Sequence, residues 1–496
     1  MSLNQGTNSL KLPQKNVITD GKLICPYEEI LRVFEILQKL FTKRSIGSED
    51  CLALECDNSV PSALSLLYLL EKGYSFLLLP KEEKISQQPD STQSVPRFCR
   101  YRIIAESLTE DRSAVSLEHP ERFLHIAENE QWICKSQGGN NADPKLYMRT
   151  SGSTGTPKIA VHSHTKLWEN ALKCVQRLGI KSDDRVAIPV PIYHMYGLGA
   201  AFLPSVLVGA SIDLQKGANL LRYLQREKEF NPNVAFMTPI FCETLLKGRK
   251  SSRAYRLTVA AGDRIREDTF ARYESQFGPL VQLYGSTEMG AIAAASPDEP
   301  QQVRAKTVGL PMSDVQLRVE EGQAESTDEM KGVGELLCNR EYGFDGYIDV
   351  EGNPINQNQD INWFRTKDLG QIGLDGRVEV LGRCDHSINR DGLLVLFSDV
   401  KKAMETIDGI ESVVVVSQGE SQRGKGLIAY CVLAKDTTIS EADIRASCFN
   451  ILPKRAIPDR VLLVKSLPIL PNGKVDRQKL IAMAEQADVM NLVRRE

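Results

Sequence analysis

The densest run of chemically useful side chains is Thr150-Ser151-Gly152-Ser153-Thr154-Gly155-Thr156-Pro157-Lys158, entered through the apolar Leu146-Tyr147-Met148. This composition suits an anion. Glycines let backbone N–H groups approach phosphate oxygens, the hydroxyls of Thr150, Ser151, Ser153, Thr154 and Thr156 donate further hydrogen bonds, and Lys158 supplies positive charge. A Ser/Gly tract without the lysine would read as a linker. The spacing is not that of a Walker A loop, which needs G-x-x-x-x-G-K followed by Ser or Thr. Here Pro157 precedes Lys158 and Ile159 follows it, which disfavours a P-loop kinase.

Four shorter strings follow downstream: Tyr284-Gly285-Ser286-Thr287-Glu288-Met289-Gly290, Trp363-Phe364-Arg365-Thr366-Lys367-Asp368-Leu369-Gly370, Gly382-Arg383-Cys384-Asp385, and Leu470-Pro471-Asn472-Gly473-Lys474-Val475-Asp476-Arg477. Each taken alone is an ordinary turn or linker, since Gly, Asn, Asp and Pro favour turns for conformational reasons. Their order along one chain is what gives them weight.

The elements that must position these residues are α/β in character. Short apolar runs at 185–191, 210–214, 233–237 and 257–260 alternate with longer amphipathic stretches. Residues 84–96 are polar and charged and predict a surface loop. A strand-like run at 377–381 gives way to the polar 382–387, and a helix is expected over 398–407. This is the expected domain boundary. Beyond it, the strand-like runs 413–416 and 427–433 predict a small α+β domain of about 110 residues. No fixed-period repeat is present.

At 496 residues the chain needs more than one core, and 42% hydrophobic residues support globular folding. With 61 basic and 64 acidic residues the net charge is -3, so there is no global electrostatic reason to bind nucleic acid or an anionic bilayer. Neither a signal-peptide core nor an apolar run of about 18 residues occurs, so the expectation is a cytoplasmic protein with no membrane span. The eleven cysteines are scattered without a zinc-like spacing, and Cys384 has no neighbouring base to activate it.

The loop at 146–158 and the four strings after it, in this order, resemble the landmarks of the adenylate-forming superfamily. That superfamily comprises acyl- and aryl-CoA synthetases, peptide-synthetase adenylation domains and luciferases. The resemblance runs from about residue 146 to 477. It implies a large multi-sheet N-terminal AMP-binding domain over 1–383, a small mobile α+β lid over 386–496, and a hinge at 384–385 with Asp385 as its pivot. It implies ATP and Mg2+ as cofactors, with Thr150, Ser151, Gly152, Ser153, Thr154, Gly155 and Lys158 on the phosphates. By the same likeness Tyr284 stacks on adenine, Gly285 and Ser286 belong to that turn, Thr287 contacts phosphate, and Glu288 holds the metal. Asp368 accepts from both ribose hydroxyls, Arg383 lies near ribose and phosphate, and Gly262 and Asp263 form the loop over adenine. Lys474 is the catalytic lysine that meets the substrate carboxylate and the α-phosphate. Ile159 departs from the family's usual glycine and reads as a local packing change.

The implied reaction is adenylation of a small carboxylic acid, release of pyrophosphate, and transfer of the acyl group to CoA or to the phosphopantetheine of a separate acyl or peptidyl carrier protein. His194, in Pro191-Ile192-Tyr193-His194-Met195-Tyr196-Gly197-Leu198-Gly199, resembles the aromatic gate of acyl- and aryl-CoA ligases. That stretch lacks the aspartate that pairs with the ammonium of an α-amino acid. An unpaired buried ammonium costs several kcal/mol, which favours an aryl or acyl acid over an amino acid. The segment 391–400 departs from the common pattern and leaves CoA and a carrier protein both open, loading of a carrier in biosynthesis included. Alternative readings are a freestanding amino-acid adenylation enzyme that loads a carrier, a luciferase-like oxidation of the adenylate, or a catalytically silent nucleotide-binding scaffold.

Overall fold

The runs of Val, Ile and Leu form strands, and those at the centres of the two largest sheets are parallel. The structure is a computed structural model describing residues 16–81, 95–106, 117–133, 143–150, 158–217, 219–321, 332–355, 363–390, 393–421, 424–435, 437–468 and 475–484. The chain divides into two compact units. The first takes in 1–317, 338–364 and 373–379; the second takes in 318–337, 365–372 and 380–496. The boundary expected at 384–385 therefore falls inside the second unit. The loop expected at 84–96 lies outside the described residues apart from its last two positions.

The first unit contains a nine-stranded and an eight-stranded sheet. In the larger, Ser211–Leu214, Arg185–Ile188, Val234–Met237, Leu257–Ala261 and Leu280–Ser286 are successive parallel neighbours. All five are buried except at Arg185, Gly285 and Ser286, so their sequences are continuously apolar rather than alternating. Gly290–Ala294 turns back antiparallel to Leu280–Ser286. In the smaller sheet, Cys51–Cys56, Ser75–Pro80 and Lys145–Thr150 are parallel, and Lys158–Ser163 returns antiparallel to Lys145–Thr150. Gly346–Ile348 extends this sheet beside Lys158–Ser163, with Ile348 opposite Ile159 and Tyr347 opposite Ala160. Ile159 is fully buried against Cys51, Ala53, Leu77, Leu79 and Cys99, a packing position pointing into the core.

The helix His164–Leu178 begins at once after that strand. The Ser163 hydroxyl accepts from the Lys166 N–H at its start, and Gly179 closes it in the left-handed region at φ 61°. Leu167, Trp168, Ala171, Cys174 and Leu178 form its buried stripe. Among the described residues no helix is long and apolar enough to cross a membrane.

Two imidazoles are enclosed at this junction. Burial holds His162 and His164 down to about 4 from their ordinary 6.5. Above pH 6.5 both the folded and unfolded chains carry them neutral, and that contribution to stability is complete. As pH falls from 6.5 toward 4 the unfolded chain binds protons that the fold refuses, so stability is lost. His164 packs edge-on to Phe76 with ring centroids 5.8 Å apart. Between pH 6.5 and roughly 5, His164→Phe should lose about 2 kcal/mol less stability than the parent, read from urea midpoints. Parallel pH slopes for the two proteins would show that His164 is protonated in the fold.

In the second unit, Leu393–Leu396, Ser387–Arg390, Gly424–Leu433 and Ile410–Ser421 are sheet neighbours, and Arg460–Leu463 pairs parallel to Gly424–Leu433. Val413 and Val415 face one core with Phe397, Val400, Met404, Ile444 and Cys448. Val414 and Val416 face another with Tyr430, Leu480 and Ala484. Because both faces are covered, the strand reads as four valines in a row. The helix expected over 398–407 spans Phe397–Met404. At its end Glu405 accepts from the Val413 N–H at 3.3 Å, tying the helix to the following strand.

Candidate active site

In an open sheet of parallel strands, ligands bind beyond the carboxyl ends of the strands. Three sequence-identified segments follow such ends in the nine-stranded sheet. Residues 191–194 come after Arg185–Ile188, Gly262 and Asp263 after Leu257–Ala261, and Thr287 and Glu288 after Leu280–Ser286. The structure thus brings His194, Gly262, Asp263 and the Tyr284–Glu288 segment to the same end of one sheet. His194 is exposed, with its ring 4.7 Å from that of Tyr193. Tyr196, two residues on, is half-buried and donates its hydroxyl toward the carbonyls of Met237 at 3.0 Å and Val259 at 2.8 Å, tying this segment to the neighbouring strand ends.

Tyr196–Phe202 is a π-helix, an element rare enough to mark functional sites. Gly197 belongs to it because a Cβ there would lie 2.1 Å from the Pro191 carbonyl oxygen. Gly262 adopts φ +103°, a conformation that excludes most side chains although the surrounding space is open. Asp263 is exposed and accepts from the Arg264 N–H at 2.8 Å. Arg264 reaches Glu379 at 2.9 Å.

Tyr284 is 8% exposed, and a register shift follows it at Gly285. The Ser286 hydroxyl accepts from the Met289 N–H at 3.0 Å, closing the turn that presents Thr287 and Glu288. Tyr347 donates its hydroxyl to Glu288 Oε1 at 2.6 Å, and the Lys158 ammonium stands 5.5 Å from the centre of the same ring. Lys158, Tyr347 and Glu288 are therefore one constellation of cation, aromatic ring and carboxylate. Thr150 stands opposite Lys158 across the hairpin and donates to its carbonyl at 3.2 Å. The rest of the sequence-identified phosphate loop, Ser151 to Gly155, lies outside the described residues, as does Lys474.

Among the described residues no group of three His, Cys, Asp or Glu side chains forms a metal cage. Glu288 has one oxygen engaged by Tyr347. A single carboxylate of this kind fits magnesium, which takes its remaining ligands from phosphate oxygens and water.

The second unit carries Asp368, Arg383 and Asp385. Asp368 is 8% exposed, and Arg383 Nη1 donates to its Oδ1 at 3.2 Å and to the Thr366 carbonyl at 3.2 Å. Arg383 Nε also reaches Asp385 at 3.3 Å. Lys367, just before Asp368, has φ 61°, and strain in a non-glycine residue of this kind is common beside functional groups. Asp385 is exposed in the short 3-10 turn Cys384–His386. Burial pushes the Cys384 thiol up to about 12, which removes it as a nucleophile.

Four residues that sequence reasoning missed belong to this site. Tyr347 reads as an aromatic in a short strand, and His162, Asn170 and Arg340 carry no motif. His162 Nε2 lies 2.9 Å from the Thr287 carbonyl, so in its neutral form the proton sits on that nitrogen. Asn170 accepts from the Ala291 N–H at 2.9 Å and donates to the Gly199 carbonyl at 2.8 Å.

Comparison with known proteins agrees with this geometry. Residues 68–348 match the family model described as AMP-binding enzyme, and 400–474 match that of the AMP-binding enzyme C-terminal domain. A 2-succinylbenzoate–CoA ligase of Enterococcus faecalis is 26% identical over 450 residues, covering 88% of this chain and 90% of the ligase. A linear gramicidin synthase of Brevibacillus parabrevis is 25% identical over 501 residues, covering 95% of this chain but only 9% of that much longer protein. The solved o-succinylbenzoate CoA synthetase of Bacillus subtilis, in complex with its acyl-adenylate intermediate, superposes with a TM-score of 0.78 at 20% identity, covering 96% of this chain and 97% of that one.

Proposed function

Since the chain belongs to the AMP-binding enzyme family, we propose that it is an ATP-dependent acid–thiol ligase. The substrate carboxylate attacks the α-phosphate of ATP and expels pyrophosphate. The thiol of CoA then attacks the acyl carbon and expels AMP, leaving a thioester. The observation that carries this reading is the Lys158–Tyr347–Glu288 constellation, one hairpin strand away from Thr150 and at the carboxyl end of the sheet that bears Tyr284.

Adenylation presses one anion against another, so its barrier falls when fixed positive charge faces the phosphates. Lys158 supplies that charge from the first unit, and Lys474 supplies it at the carboxylate and α-phosphate. Thr150 and the hydroxyls and N–H groups of Ser151, Gly152, Ser153, Thr154 and Gly155 orient the phosphates. Glu288 would hold a magnesium ion, and the Thr287 hydroxyl would donate to a phosphate oxygen. When bound, that ion neutralises charge on the phosphate oxygens. Asp368 accepts from the ribose hydroxyls, with Arg383 at 3.2 Å to orient its carboxylate. Gly262, Asp263, Tyr284, Gly285 and Ser286 frame the adenine, and His194 gates the place where carboxylate and thiol meet. The segment 386–496 acts as a mobile domain pivoting at 384–385, where Asp385 is exposed. The location we assign is the cytoplasm.

Nothing acidic lies in 191–199 to pair with an ammonium group, which supports an aryl or acyl acid. Transfer to the phosphopantetheine of a separate carrier protein is the second reading. It is supported by a likeness to the linear gramicidin synthase nearly as strong as that to the CoA ligase. The test is ATP–pyrophosphate exchange with benzoates, hydroxybenzoates, short and medium fatty acids and amino acids. Exchange with an aryl or acyl acid is expected. Exchange with an amino acid alone would favour the carrier-loading reading, and none with any acid, despite ATP binding, would make the chain a silent scaffold.

A further inference from the structure

The turn bearing Thr287 and Glu288 is gripped from outside at the carbonyls of Thr287, Glu288, Met289 and Ala291. His162 takes the Thr287 carbonyl at 2.9 Å, and the Phe344 N–H takes that of Glu288 at 2.8 Å. Arg340 Nη1 takes the carbonyl of Met289 and, at 3.0 Å, that of Ala291. It also donates to Asn170 Oδ1 at 3.0 Å, the atom that accepts from the Ala291 N–H. Gly290, between these contacts, has φ +63°, and a Cβ there would lie 2.5 Å from Asn170 Oδ1 and 3.0 Å from Arg340 Nη1. The same asparagine holds the Gly199 carbonyl, so the metal turn and the 191–199 segment share one anchor.

Stability is a poor explanation for Arg340. Its side chain is wholly buried, with Nε on Asp314 Oδ2 at 2.7 Å and the aspartate side chain only 8% exposed. Arg340 Nη2 and Asp314 Oδ1 are both buried without a hydrogen-bond partner among the described residues. A buried ion pair with such gaps is commonly no more stabilising than apolar residues of the same volume. What the pair does provide is a donor fixed in direction, spanning the two carbonyls on either side of Gly290.

We infer that Arg340, oriented by Asp314, is a positioning residue for metal-bound nucleotide: it fixes the turn so that the Glu288 carboxylate and Thr287 hydroxyl meet a phosphate-bound magnesium ion. The inference rests on the proposed function, in which Glu288 shares that ion with ATP. Supports of this kind, one step removed from the ligand, typically carry about 10–100-fold in metal affinity.

The test is equilibrium binding of ATP to the full chain by calorimetry, without acid, at zero and saturating magnesium, alongside thermal melting. Arg340→Met alone would strand the Asp314 charge, so the main variant is Arg340→Met with Asp314→Leu. It should fold with a melting temperature lowered by the loss of the Met289 and Ala291 carbonyl bonds and bind metal-free ATP as the parent does, yet bind magnesium–ATP at least about tenfold more weakly. Arg340→Lys keeps the charge but loses the Nε bond to Asp314 that fixes the donor's direction, and it should give a smaller loss of the same kind. A folded double variant with parental magnesium–ATP affinity overturns the inference. If the double variant fails to fold, Arg340→Lys decides, and parental magnesium dependence there overturns it equally. A parent whose ATP affinity does not respond to magnesium removes the proposed metal role of Glu288, and this inference falls with it.

Discussion

Lys474→Ala should cut acid-dependent pyrophosphate exchange by roughly 10²–10³-fold while leaving thioester formation from supplied acyl-adenylate near the parental rate. The split follows from where charge accumulates. In the first step two anions, carboxylate and α-phosphate, must come within bonding distance, and a cation placed between them lowers that barrier directly. In the second step the thiol attacks an acyl carbon whose carboxylate charge has already been lost in forming the mixed anhydride with AMP. The described residues on either side are held: the Asp476 N–H donates to the Pro468 carbonyl at 2.8 Å, and Arg477 Nη1 to the Val415 carbonyl at 2.5 Å. Val475, next to the lysine, packs against the cluster of Val414 and Val416. The alanine variant should therefore fold as the parent does. Equal loss in both half-reactions would give Lys474 a general structural role; no loss in either would mean the adenylation lysine lies elsewhere.

Glu288→Gln carries the second large effect. Glutamine keeps the volume and an acceptor for the Tyr347 hydroxyl, now at 2.6 Å, but removes the negative charge that a hard cation requires. The magnesium concentration for half-maximal exchange should rise at least about tenfold, with maximal exchange reduced by about 10². Melting temperature should hardly change, because the backbone of the turn is held by His162, Phe344, Asn170 and Arg340 rather than by this carboxylate. An unchanged magnesium profile in the folded variant would remove Glu288 from the metal site.

Much of this arrangement is legible in the chain. The runs at 185–191, 210–214, 233–237 and 257–260 become parallel strands because each is buried on both faces and so is continuously apolar. The motif strings are legible only through their order along the chain, since each taken alone is an ordinary turn or linker. The supporting residues follow no such rule. His162 meets a carbonyl 125 residues away, Asn170 an N–H 121 residues away, and Arg340 a carbonyl 51 residues away. Each acts on backbone atoms, which every residue possesses, so nothing at the partner position signals the contact. Tyr347 is hidden differently: its pairing with strand Lys158–Ser163 sets an aromatic ring beside Lys158, and that register exists only in the folded sheet. The compact units also escape a reading by contiguous domains, because 318–337 and 365–372 join the second unit from within the span expected to form the first.

The most direct measurement follows the substrate's own oxygen. A responsive acid labelled with ¹⁸O in both carboxylate oxygens is incubated with ATP, magnesium and CoA, and the AMP, pyrophosphate, phosphate and thioester are analysed by mass spectrometry. Attack on the α-phosphate places one labelled oxygen in AMP and leaves the other in the thioester carbonyl, with pyrophosphate unlabelled. Label appearing instead in orthophosphate, with ADP as the nucleotide product, would mean an acyl-phosphate route and would contradict the adenylate mechanism proposed for this chain.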